Sequence, residues 1–120
     1  MHSLVLFDIE QRQIPTEALE RVFQSKPGFK DVRRNTPMGT PIEADFSEGE
    51  DFTMVILNEK RDAIYIRGTS GAALSAAWIL KSQLDIPLRM VDTDYSFDLV
   101  ISEFSTRDEL ERAIDRSRSD

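Results

Sequence analysis

Apolar and polar positions alternate along this chain in short, well-punctuated blocks, and the blocks predict the elements. Ser3–Ile9 (SLVLFDI) is β-like and apolar, and predicts a first strand. A helix follows: Pro15 and Thr16 stand at its start, Glu17 lies in its first turn, and Ala18, Leu19, Val22 and Phe23 share one face. Lys26-Pro27-Gly28 stops it, because proline cannot continue the hydrogen-bond ladder and glycine frees the backbone. Phe29–Gly39, with Arg33, Arg34, Pro37 and Gly39, shows no period and reads as irregular. In Thr40–Phe46 the apolar Ile42, Ala44 and Phe46 alternate with Glu43 and Asp45, the pattern of a half-buried strand lying at a sheet edge.

Ser47–Asp51 reads as a turn, Phe52–Leu57 (FTMVIL) as a central strand covered on both sides, and Ala63–Arg67 as its return. Gly71–Leu84 predicts the strongest helix, apolar on most sides and therefore buried, with alanines that allow close approach to a sheet. Leu88–Val91 and Tyr95–Ser102 form a second hairpin pattern around Asp92-Thr93-Asp94. Ser105 with Asp108 resembles a capping box for a last helix whose inner face is Leu110, Ala113 and Ile114, and the charged Asp115–Asp120 is expected to fray. The order is β-α-β-β-β-α-β-β-α over a single domain, residues 1–120. Hairpins of this kind predict an α+β fold: a mostly antiparallel sheet with helices packed on one face.

Composition narrows the function classes. With 40% apolar and 31% charged residues the chain reads as an ordinary globular protein. It has no cysteine, which excludes disulfides and thiolate metal sites and suits a reducing compartment; a cytoplasmic location is expected. Leu4–Phe7 is too short for a signal segment, and no apolar run is long enough to span a bilayer, so no membrane partner is expected. The net charge of −7 argues against nucleic acid, which needs a positive face, and suits a basic protein partner.

Catalytic equipment is sparse. His2 is the only histidine, and nothing near it in sequence would orient it as a base. Asp92, Asp94 and Asp98 miss the calcium-loop pattern and read as turn and strand-surface aspartates, so no metal and no cofactor are expected. Arg67-Gly68-Thr69-Ser70-Gly71 joins a strand to a helix start whose first amides could hold an anion or nucleotide; an ordinary capped turn explains the same residues. The acidic run Glu43–Asp51 holds five acids and no base. Glu43, Asp45, Glu48, Glu50 and Asp51 form either a negative patch for a partner, with Phe46, Phe52 or Tyr95 as aromatic anchors, or a charged edge that resists aggregation.

The DAIYIRG strand leading into an alanine-rich helix, the segment PLRMVDTDYSFDLVIS and the closing STRDELERAI helix resemble small bacterial immunity proteins, over residues Phe52–Ile114. These are the cytoplasmic antidotes of contact-dependent and type VI secreted toxins. The resemblance implies a one-to-one complex in which the antidote blocks or distorts a cognate toxin's active site. It implies no catalytic residue.

Overall fold

In a computed structural model, which describes residues 2–68 and 71–119 (118 and 119 without their side chains), the chain builds one seven-stranded antiparallel sheet and three helices. The strands are β1 (Ser3–Asp8), β2 (Phe29–Arg34), β3 (Ile42–Glu48), β4 (Asp51–Leu57), β5 (Ile64–Arg67), β6 (Leu88–Asp92) and β7 (Asp98–Val100). The helices are α1 (Thr16–Ser25), α2 (Gly71–Gln83) and α3 (Arg107–Ser119), with a single 3-10 turn at Ile101–Glu103. The spatial order is β2-β3-β4-β5-β1-β6-β7, so β1 sits in the middle of the sheet, between the meander β2–β5 and the hairpin β6–β7. The fold class is α+β, as the pattern predicts.

Period-two alternation divides the sheet into two unlike faces. Leu4, Leu6, Ile42, Ala44, Phe46, Val55, Leu57, Ile64, Ile66, Leu88 and Met90 point to one side, and all are buried. Over them lie Leu19, Val22 and Phe23 of α1, the alanines 72, 73, 76 and 77 and Leu80 of α2, and Leu110 and Ile114 of α3. The alanines, all fully buried, let α2 approach β4, β3, β5 and β1 closely. No helix among the described residues is long and apolar enough to cross a membrane.

Several expectations need correction. Phe29–Arg34, read as irregular, is β2; it pairs with β3 through Phe29↔Phe46 and Arg33↔Glu43, with a bulge between Lys30 and Arg33 and Asp31 at φ 53°. The strand β3 is therefore not an edge: β2 and β7 are. The β4 strand is central but covered on one side only, for Met54 and Ile56 are half-buried and Phe52 is exposed. Tyr95–Ser102 forms only a three-residue strand; Tyr95 lies in the turn at φ 55°, while Phe97 and Ile101 are buried as an inner face requires. The N-cap of α3 is Thr106 rather than Ser105: its Oγ1 accepts from the Glu109 amide at 3.2 Å. That helix runs from Arg107 to Ser119.

Candidate functional site

The acidic run Glu43–Asp51 is split three ways by strand parity. Glu43 and Asp45 lie on the face of the sheet that the helices leave open. Arg33, brought alongside by β2, donates to Glu43 Oε2 through Nη2 at 2.6 Å and Nε at 2.9 Å, and to Asp45 Oδ1 at 3.2 Å. These bonds, Glu43's first, raise the Arg33 pKa above its usual value. Thr40 adds a hydroxyl to Glu43 Oε1 at 2.9 Å.

Glu48 and Asp51 face the other way, toward α2. Ser75 Oγ donates to Glu48 Oε2 at 2.6 Å, and Arg107 of α3 joins the same group through Ser75 Oγ and through the Gly71 carbonyl at 3.3 Å. The Ala72 amide donates to Asp51 Oδ2 at 3.0 Å, so Asp51 caps α2 from a strand that lies 21 residues earlier. Glu50 stands exposed in the turn between β3 and β4. Four of the five acids thus have partners within the fold, and the expected uncompensated patch contracts to the turn. The period counted from Ile42 already places Glu48 inward, and that is the signal which separates it from Glu43 and Asp45.

The aromatic anchors sort equally clearly. Phe46 cannot reach a partner: it is 3% exposed and packs its ring 4.7 Å from that of Phe29, because position 46 continues the inward set Ile42 and Ala44. Phe52 is 71% exposed beside the acidic turn, and Tyr95 is 81% exposed at the far end of the sheet.

At the turn Arg67–Gly71, Arg67 is exposed on the open face and Gly68 adopts φ 75°. Thr69 and Ser70 lie outside the described residues. The Asp51 carboxylate accepts from the Ala72 amide, one of the amides at the start of α2 that an incoming anion would use. Asp92 is not a turn surface residue but a buried strand end that accepts from the Ser96 amide at 2.7 Å. Asp98 is paired with Arg89 at 2.5 Å, and Asp94 meets His2 Nδ1, so His2 does have an orienting neighbour. Among the described residues no group of three or more His, Asp or Glu is placed to hold a metal ion.

The sequence pattern does not single out the open face as a surface. Ile56, Tyr65, Val5 and Val91 are successive cross-strand neighbours on β4, β5, β1 and β6, with Glu43 and Asp98 at the two ends of the row. Met54, Phe7 and Val100 flank them. The two valines are small among large neighbours, and the dent they floor, between Phe7, Tyr65, Arg89 and Tyr95, has a volume of about 450 Å³. No protein-family model, curated protein or solved structure matches the chain.

Proposed function

We propose that this chain is a protein-binding inhibitor of the immunity kind, acting in the bacterial cytoplasm on a cognate toxin in a one-to-one complex. Its contact is the corner where the β3–β4 turn meets the open face of the sheet. The observation that carries the reading is Phe52, a large aromatic side chain 71% exposed on the open face beside the turn that holds the exposed Glu50. A buried aromatic ringed by polar groups is the usual anatomy of a binding hot spot, and the carboxylates steer a basic partner toward it. Glu43 and Asp45 support the corner through Arg33 rather than by direct contact.

The test is to sequence the neighbouring genes, co-express the chain with the toxic domain of any larger secreted protein found among them, and read growth rescue and, with purified proteins, affinity at two salt concentrations. Rescue is expected. Phe52→Ala should weaken the complex about tenfold or more, and Glu50→Gln should slow association and flatten its salt dependence. No rescue, or affinity indifferent to both substitutions, would overturn the reading.

A further inference from the structure

We propose that the open face of the sheet pairs, face to face, with the same face of a second copy of this chain. The inference goes beyond the toxin-binding reading and does not rest on it, since it uses the whole open face of the sheet and leaves the acidic turn at its margin. Three observations converge on a second copy as the occupant.

The first is charge. The chain as a whole carries −7. On the open face the strands present Lys30, Arg33, Arg67 and Arg89 against Glu43, Asp45 and Asp98, a balance of +1. Two identical acidic molecules repel over most of their surface, and on this near-neutral face that repulsion is small. Five of these seven charges are already paired, Arg33 with Glu43 and Asp45, and Arg89 with Asp98, while Lys30 and Arg67 are exposed.

The second is area. Seven strands about 4.8 Å apart, averaging between five and six residues at about 3.3 Å each, give roughly 600 Å² of sheet per copy. A pair that covers the whole face would bury about 1,200 Å², at the lower end of the range of about 1,200–2,000 Å² that specific interfaces occupy. Two sheets stacked in this way sit about 10 Å apart, with side chains from both faces interleaved.

The third is shape. A two-fold contact places the same surface on both partners, so a protrusion needs a recess on its own face. Tyr95, 81% exposed, stands at the rim of the dent floored by Val5 and Val91. Knob and hole therefore lie side by side, the arrangement in which each copy can fill the other.

Light scattering with sedimentation velocity, from micromolar to near-millimolar concentration, tests this on the whole chain. The expected particle is twice 13.7 kDa. Tyr65→Arg, at a position 39% exposed and so compatible with folding, should raise the dissociation constant about 30-fold or more, because the two-fold doubles the substitution. Tyr95→Ala, at a turn that bears no core contact, decides the matter if Tyr65→Arg should fail to fold. A single-copy mass at every concentration, or a dimer untouched by the variants, would overturn the proposal. So would a monomer whose open face is protected only when a different protein is bound. Glu50→Gln, in the turn beyond the sheet, should leave the dimer intact, so failure here and failure of the toxin-binding reading are separate results.

Discussion

Single residues in this fold are held by contacts that their neighbours in sequence do not announce. Asp8 is 2% exposed at the end of β1. Burial pushes its carboxyl pKa up, but the Glu10 amide and the Arg12 guanidinium, each at 2.8 Å, outweigh that and hold it below its usual value. A folded value below the unfolded one means that the contribution to stability is fully present above about pH 4 and is lost as pH falls through the folded value. In urea titrations from about pH 6 to about pH 2 the gap between the wild type and Asp8→Asn should therefore shrink with acid; a constant gap would contradict the assignment. Gly28 is the other residue with a sharp consequence. At φ 99° an added Cβ would meet Phe46 Cε1 at 2.7 Å and the Ser47 carbonyl oxygen at 3.0 Å. Gly28→Ala should cost about 2–4 kcal/mol in a denaturation experiment, the sum of left-handed strain and overpacking. A loss below about 1 kcal/mol would mean that the backbone relaxes around it.

Elements show where local pattern suffices and where it fails. Alternation in Ile42, Ala44 and Phe46, and the alanine-rich run of α2, are strong enough to read directly, and both elements stand where the pattern puts them. The β2 strand defeats that reasoning. FKDVRR has three cations in six residues and a bulge in the middle, so its period breaks, and what makes it a strand is the ladder offered by β3. Missing it also conceals Arg33 and makes Glu43 and Asp45 look unpaired. The cap of α2 is hidden for the same reason, because Asp51 reaches Ala72 only after the meander has folded. Asp51→Ala should lower stability by about 1 kcal/mol, and Asp51→Asn by less, since asparagine still accepts the amide proton. Equal stability of all three proteins in urea would show that the contact contributes nothing net.

At the scale of the molecule, the class of the fold was legible and the two-sidedness of its sheet was not. The predicted hairpins were enough for an antiparallel sheet with helices against it. Which strands lie side by side depends on β1 entering between β5 and β6, a choice made by pairings 58 or more residues apart, such as Leu4↔Ile66. Only that arrangement brings Val5, Ile56, Tyr65 and Val91 into one row. The row also depends on the face opposite the helices staying uncovered, which apolar content alone does not reveal: FTMVIL has the composition of a strand buried on both sides.

The two rims of the sheet carry a consequence for how the molecule behaves in a crowd. At one rim the β2 bulge, with Asp31 turned to φ 53°, spoils the ladder that another chain would need in order to add on. At the other, β7 is three residues long and runs straight into a 3-10 turn. Neither rim is a template for endless strand-by-strand growth. In the proposed pair each copy covers the open face of the other, and a two-fold contact of this kind leaves no second open face, so such an assembly stops at two instead of running on into fibres.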